Sequence, residues 1–236
     1  MLKKLLIFFF LFLLNNSIAQ AAKFHICSNK NSENLIKNIG NAQPKIINIT
    51  FNKYRRWQKN NIRIITEPSR IILSKYKKRF NAKIEVVFNE GLKCKFKARI
   101  RQHGDFKDHI YLKDGTIIQS LDVHLDEGNI NGITKFKLLI PHTRGKANHE
   151  IFITALLREF NFIAPRTNTV EVKINEKKSI MLFQEKAAKE LLEYNLRREG
   201  PIFEGDERYM FPAVAKFPDN QLSNMSIGML EELEKT

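Results

Sequence analysis

Residues 94–101 read Cys-Lys-Phe-Lys-Ala-Arg-Ile-Arg and alternate at every position between an apolar and a basic side chain. Successive side chains of a β-strand point to opposite faces, so this pattern predicts a strand with one apolar face and one cationic face. Such a strand buries its apolar face in a core while the other face meets water. The 43% hydrophobic content of the chain is also too high for a disordered protein, so we expect a globular fold with a half-buried sheet.

Further periodic segments extend this sheet and add helices. Alternating apolar residues predict strands over 46–51, 84–88, 121–125, 136–140, 170–174 and 180–183, and a hairpin over 110–118 that turns at Asp114-Gly115. Helical spacing predicts one helix over 149–160, with Ile151, Phe152, Ala155, Leu156 and Phe160 on one stripe, and a second over 186–198. This order predicts an α+β fold in which one helix packs against an antiparallel sheet and a second helix follows.

The first 21 residues have the features of a secretory signal peptide. Lys3 and Lys4 form a positive region, residues 5–14 are all apolar, and Ala19 and Ala21 occupy the positions that a signal peptidase reads. An apolar run of this length does not reach the roughly 20 residues that span a bilayer. We therefore predict an exported protein of the periplasm or the cell surface and exterior, without a transmembrane span once the signal is cleaved. An uncleaved membrane anchor is the alternative.

Composition divides the rest of the chain into three parts. Residues 22–45 are polar and are predicted to form an irregular lead-in. Residues 46–207 contain all the predicted strands and helices and are expected to form the α+β domain. Residues 208–236 follow as a C-terminal segment.

The chain is strongly basic and has two cysteines. Lys and Arg number 40 against 25 Asp and Glu, which gives a net charge of +15, or +13 without Lys3 and Lys4. Two cysteines exclude a disulfide-rich scaffold and a four-cysteine zinc site. In an oxidising compartment Cys27 and Cys94 could form a disulfide, and a buried free thiol at Cys94 is the alternative.

Several stretches carry a resemblance to a known family. They are 98–107, 135–141, 144–150 continuing into 156–160, 164–166, 172–175 and 183–186. Their order and spacing resemble the spore coat protein H (CotH) kinase-like family over about half the chain. The resemblance implies a protein-kinase-like N-terminal lobe, ATP and Mg²⁺ as cofactors, and phosphorylation of an envelope or coat protein. The acids of the family's second lobe are not found, which predicts either a fragment or a stand-alone first lobe without phosphotransfer.

The turn after the cationic strand is the strongest candidate for phosphate binding. Arg101 ends the strand, Gly104 lets backbone N–H groups approach a phosphate, and Lys107 could reach its oxygens. The alternative is an ordinary hairpin with solvated basic residues. The resemblance further implies that Glu150 or Glu159 orients a phosphate-binding lysine, either Lys107 or Lys137, although Glu150 also suits a helix N-terminus by its charge.

Acidic residues near the end of the predicted domain are candidates for other roles. Glu185 follows the last predicted strand and could bind a ligand or hold the next segment against the sheet. Asp206 and Glu207 lie in the sequence Glu204-Gly205-Asp206-Glu207, where two carboxylates this close could bind Mg²⁺. A solvated acidic loop is the alternative.

Two stretches combine basic and aromatic residues, 54–59 and 76–80. This combination is typical of nucleic-acid binding, but an exported protein meets acidic polysaccharide or anionic lipid far more often. A solvated basic face is the alternative. The sequence thus predicts an exported CotH-like kinase, either active or inactive, or alternatively a non-catalytic module for envelope assembly or polyanion binding, without a nucleic-acid partner.

Overall fold

The computed structural model describes residues 26–28, 43–89, 91–113, 115–144, 147–175, 177–202, 204–206 and 211–213, with only the backbone described in 26–28, 204–206 and 211–213. Its strands are β1 (Ile26–Ser28), β2 (Pro44–Phe51), β3 (Phe80–Phe88), β4 (Lys93–Gln102), β5 (Ile110–Lys113), β6 (Thr116–Gln119), β7 (Leu121–Leu125), β8 (Lys135–Leu139), β9 (Thr167–Ile174), β10 (Lys177–Glu185), β11 (Glu204–Asp206) and β12 (Phe211–Ala213). Its helices are α1 (Tyr54–Thr66), α2 (Asn148–Glu159) and α3 (Lys189–Tyr194).

Seven strands close into a barrel. Their order is β4-β3-β2-β9-β10-β8-β7, and β7 pairs back with β4 through Ala98 opposite Leu125 and Gln102 opposite Leu121. All neighbouring strands are antiparallel except β2 and β9, which are parallel. β1 adds to the first part of β4, while β5–β6 and β11–β12 are separate hairpins. The fold is therefore a closed mixed β-barrel.

The predicted α+β fold with a kinase-like N-terminal lobe is wrong. Each predicted strand is present, but the sheet is closed and contains a parallel pair, and the first predicted helix does not bury its apolar stripe against the sheet. The largest discrepancy is α2, which contributes only Thr154 to the buried residues. The second predicted helix is also shorter, because β10 extends to Glu185 and α3 spans only Lys189–Tyr194.

The barrel interior holds the main core. In β4 the apolar residues from Cys94 to Ile100 are buried and the basic residues from Lys95 to Arg99 are exposed, which confirms the predicted strand with two faces. Trp57 of α1 enters the same core, where its ring stacks on Phe51 at 4.2 Å between ring centroids and meets the edge of Phe80 at 5.1 Å. The basic-aromatic stretch 54–59 is thus part of a helix anchored by its tryptophan.

Two further sequence-based expectations concern the cysteines and the signal peptide. Cys94 is disulfide-bonded, and the ladder places its Cα opposite that of Cys27, the other cysteine of the chain. The proposed signal peptide, residues 1–21, and most of the predicted lead-in and C-terminal segment lie outside the described residues. Among the helices that the structure describes, none has the length and apolar character needed to cross a membrane.

Candidate anion-binding site

Basic side chains cover the outer face of the barrel where β4, β7, β8 and β10 lie side by side. The apolar residues of these strands form the interior core, so the residues between them point outward. The strand register aligns Arg101 with Asp122 and Asp122 with Lys137, and the next row aligns Arg99 with His124 and His124 with Lys135. We call this surface the cationic wall; it consists of Arg79, Arg99, Arg101, Lys135, Lys137 and Lys186, which surround Asp122 and His124.

Asp122 lies at the centre of the cationic wall, and its side chain is only 2% exposed. Its Oδ2 accepts a hydrogen bond from Arg101 Nε at 2.9 Å and lies 2.8 Å from Arg101 Nη2. Arg79 Nη2 lies 3.3 Å and Lys186 Nζ 3.5 Å from the same oxygen. His124 Nε2 is 3.2 Å from the other oxygen, Oδ1. One buried carboxylate thus holds three cationic side chains on the wall.

The protonation states follow from burial and from these contacts. Burial alone would raise the pKa of Asp122, but the contact with His124 and the charges of Lys186, Arg79 and Arg101 more than offset it, so the pKa lies well below its ordinary value. Burial lowers the pKa of Lys186 and of Arg79, and the negative charge of Asp122 opposes this shift. The carboxylate is therefore charged at neutral pH, beside cations that are partly stripped of water.

The balance of charge suits this surface to an anion. Three cations share the single charge of Asp122, so the cluster keeps a positive excess in partly desolvated surroundings, where electrostatic attraction is stronger than in water. Arg99 and Arg101 remain 54% and 35% exposed, so an anionic group from solution can reach them. Guanidinium groups match carboxylate, sulfate or phosphate oxygens in a two-pronged geometry.

The structure brings together only two of the predicted phosphate-binding residues. Arg101 and Lys137 both belong to the cationic wall, where they flank Asp122 on either side. Gly104 has a φ of +95°, and a Cβ at this position would overlap the ring of His109. The glycine is therefore required for the close approach of this ring, which is a structural role.

Lys107 also has a structural role, at the end of α1. Its Nζ donates to the backbone carbonyl oxygen of Ile65 at 3.1 Å and to that of Glu67, at the C-terminal end of α1. The last carbonyl groups of a helix lack partners within the helix and carry partial negative charge, so a lysine stabilises them. Lys107 thus caps α1, and the predicted phosphate contact has no support in this geometry.

We expect Lys107→Ala to lower the free energy of unfolding by about 1–2 kcal/mol, because two helix-end carbonyls lose a charged donor. Urea unfolding would measure the change. Lys113→Ala, which removes an exposed lysine from β5, is the matched control and should change stability by less than about 0.5 kcal/mol. Equal stability of the two variants would contradict the capping role.

The predicted glutamates also make contacts within the fold. Gln184 Nε2 donates to Glu150 Oε1 at 2.6 Å, which ties the first turn of α2 to β10. Glu185 is 2% exposed and accepts hydrogen bonds from both Arg166 Nε and Arg166 Nη2 at 2.8 Å. Glu185 thus holds Arg166, directly before β9, against the end of β10, rather than the segment that follows it.

The proposed magnesium site cannot be placed. Glu207 lies outside the described residues, and only the backbone of Asp206 is described, in β11. In the part of the chain whose side chains are described, no three His, Cys, Asp or Glu side chains are grouped as metal ligands would be.

Sequence reasoning missed the centre of the site. Asp122 and His124 alternate with Leu121, Val123 and Leu125, so their outward direction was readable from the strand pattern. The sequence signal for Asp122 was an acidic residue on the polar face of a strand in a basic chain. Arg79 was noted only within the basic and aromatic stretch 76–80, and Lys186 was assigned to a helix; both reach the wall from beyond the ends of β3 and β10.

His103 lies directly after β4, near the wall. Burial lowers the pKa of His103 to about 3, and the positive charge of Lys137 adds to this shift. The pKa values of His109 and His124 are also lowered, with burial as a cause in both. These imidazoles are therefore neutral in the folded protein at pH 7.

This arrangement predicts that acid destabilises the fold. An unfolded histidine takes up a proton near pH 6.5, whereas folded His103 does so only near pH 3, so the unfolded state binds more protons between these values. Stability is then lost as the pH falls, by about 2 kcal/mol from His103 between pH 7 and pH 5. Urea unfolding at both pH values should show a smaller loss in His103→Asn than in the exposed control His149→Asn. The same loss in both variants would contradict a buried neutral ring.

No family model matches this chain, and no curated protein matches it either. The fold and the site therefore carry the functional argument by themselves. They define a closed β-barrel protein with a cationic outer wall built around a buried carboxylate.

Proposed function

We propose that this protein is an exported, non-catalytic module that binds acidic polysaccharide of the cell envelope on its cationic wall. The observation that carries this proposal is the cluster at Asp122, where one buried carboxylate holds Arg79, Arg101 and Lys186 in place. Cations that are already ordered lose little conformational freedom on binding an anion, so more of the attraction appears as affinity.

The burial of Trp57 in the basic helix α1 favours polysaccharide over nucleic acid as the ligand. Proteins that bind single-stranded nucleic acid stack bases on exposed aromatic rings. Trp57 is 1% exposed and is packed between Phe51 and Phe80, so it offers no such face. The exposed basic residues of α1, among them Arg55 and Lys59, add positive charge without stacking. On α1, positive charge without an exposed tryptophan ring suits a ligand that is recognised by its carboxylates or sulfates.

The kinase activity that the resemblance implies depended on a kinase-like lobe with Lys107 at the phosphates. The fold is a barrel, and Lys107 is bound to carbonyl groups at the end of α1. We therefore do not extend the proposal to ATP, Mg²⁺ or an envelope protein substrate.

Binding to heparin, used as an acidic polysaccharide probe, tests the proposal. We expect the affinity to fall steeply as salt rises, because binding releases the counterions of the polyanion. The double variant Arg99→Gln/Lys135→Gln should weaken binding at least about tenfold. It should also reduce the slope of log K against log salt concentration by about one for each lost contact. Both residues are on the wall, but neither contacts Asp122 in the cluster.

Lys113→Gln/Lys177→Gln is the matched control. It removes the same charge from exposed lysines, and Lys177 begins β10 whereas Lys186 follows its end. The control should bind within about twofold of the parent chain. Equal weakening by the two variants would contradict a specific site and leave only diffuse attraction to a basic protein.

A further inference from the structure

Helix α2 and the segment after it expose an apolar surface. Six large side chains are each at least one-third exposed: Phe152, Ile153, Leu156, Phe160, Phe162 and Ile163. The rings of Phe152, Phe160 and Phe162 are 67%, 66% and 61% exposed. We call this surface the apolar ridge. Contiguous exposed apolar surface of this kind marks a docking surface in most soluble proteins.

Polar contacts fix α2 in this orientation. Glu150 accepts a hydrogen bond from Gln184 Nε2, and Arg158 Nη1 donates to the carbonyl oxygen of Pro165 at 2.7 Å. Thr154, which is 4% exposed, is the one buried residue of the helix. A surface helix ordinarily turns its apolar stripe to the core. Here Ile151 packs against Leu139 and Leu182, while Phe152, Ile153 and Leu156 are exposed to solvent.

The apolar ridge lies beside the cationic wall. Gln184, which holds the first turn of α2, is the cross-strand neighbour of Lys137 of the wall. The chain carries a net charge of +15, so the ridge adjoins a surface that attracts anions. An occupant that satisfies both surfaces combines an apolar layer with a layer of negative charge.

We propose that the apolar ridge inserts into an anionic lipid surface. Peripheral membrane binding gains from buried apolar area and from attraction between basic side chains and anionic headgroups, which are the two properties found side by side here. Exposed phenylalanine rings on a surface helix suit shallow insertion at the boundary of headgroups and acyl chains. This inference goes beyond the proposed function, because it needs the charge of the wall but no polysaccharide.

Sedimentation with lipid vesicles tests this inference. The chain without residues 1–21 is used, because their apolar run would bind lipid by itself. We expect it to bind vesicles of phosphatidylcholine with about one-third phosphatidylglycerol, and to bind pure phosphatidylcholine at least about tenfold more weakly. Phe152→Ser/Phe160→Ser should lose at least about tenfold in partition to the anionic vesicles.

Leu112→Ser/Ile180→Ser is the matched control, since it removes two side chains that are 61% and 56% exposed outside the ridge. It should bind the anionic vesicles like the parent chain. Unchanged binding by the phenylalanine variant would overturn the proposal. So would a chain that ignores vesicles but forms dimers that the phenylalanine substitutions abolish, because the ridge would then bind a second copy.

Heparin binding separates this inference from the proposed function. The phenylalanine variant should bind heparin like the parent chain, which also shows that it is folded. A chain that binds vesicles through the ridge but does not bind heparin would contradict the proposed function alone. A chain that binds heparin but no vesicles would contradict this inference alone.

Discussion

Asp122→Asn is expected to lower the free energy of unfolding by about 3–5 kcal/mol, because the substitution leaves several partly buried cations without their shared carboxylate. Arg101, Arg79 and Lys186 all lie within 3.5 Å of Asp122 Oδ2. An asparagine keeps the shape of the side chain but removes its charge, so the loss reports electrostatics and not packing. Urea unfolding at pH 7 would measure it.

Asp126→Asn is the control for this prediction. Asp126 forms an ion pair with Arg99 at 2.7 Å, but the arginine is 54% exposed. Exposed pairs of this kind contribute about 0–1 kcal/mol, so the control should remain close to the parent chain. Similar losses in the two variants would show that Asp122 is not the centre of a buried network.

Trp57→Ala is expected to cost about 3–5 kcal/mol, because it opens a cavity where α1 meets the barrel core. The tryptophan is 1% exposed and contacts the rings of Phe51 and Phe80. The loss should appear in urea unfolding as a lower midpoint with little change in the slope of the transition.

Trp57→Phe is the matched control for the alanine variant. It keeps an aromatic ring at this position and should lose less than half as much stability. An alanine variant as stable as the parent chain would contradict the burial of Trp57. It would also restore Trp57 as a candidate for contact with a ligand.

The strands were predictable because their signal is local. Leu121, Val123 and Leu125 alternate with polar residues, and one buried face is enough to specify a strand. The hairpin of β5 and β6 was equally readable from Asp114-Gly115. Each of these signals lies within ten residues of the element that it specifies.

Closure of the barrel was not predictable in the same way. It depends on three pairings between strands that are not consecutive, β4 with β7, β8 with β10, and β2 with the distant β9 in parallel. Alternation of apolar and polar residues indicates that a strand has two faces, but it does not indicate which strands are its neighbours in the sheet. An open antiparallel sheet and a closed mixed barrel therefore have the same local pattern, and the kinase-like lobe was inferred from the order and spacing of the stretches that carry the resemblance.

The apolar stripe of α2 shows a different limit of sequence reasoning. The periodicity of Phe152 and Phe160 correctly indicated a helix, and a helix of this kind is ordinarily assumed to bury its stripe. Glu150 instead accepts a hydrogen bond from Gln184 of β10 and Ile151 packs against Leu182, which leaves Phe152 and Phe160 exposed. Such contacts depend on partners far along the chain, so periodicity gives the element but not its orientation.

The candidate site was predictable in part for the same reason. Arg101 and Lys137 were recognised as cations on strands, and their strands are neighbours of β7. Lys107 was assigned to a phosphate because the end of α1 was not part of the prediction. The role of Asp122 depends on cations from three separate segments, which only the closed barrel brings together.

Lysine acetylation with and without saturating heparin, read by mass spectrometry, is the sharpest test of whether polyanions bind on the cationic wall. We expect heparin to protect Lys135 and Lys137 on the cationic wall, while Lys113 and Lys177 remain as reactive as in the free protein. Protection confined to lysines outside the wall, such as Lys59 of α1, would contradict the claim that the wall is the binding surface. Unchanged reactivity of every lysine would contradict polyanion binding itself.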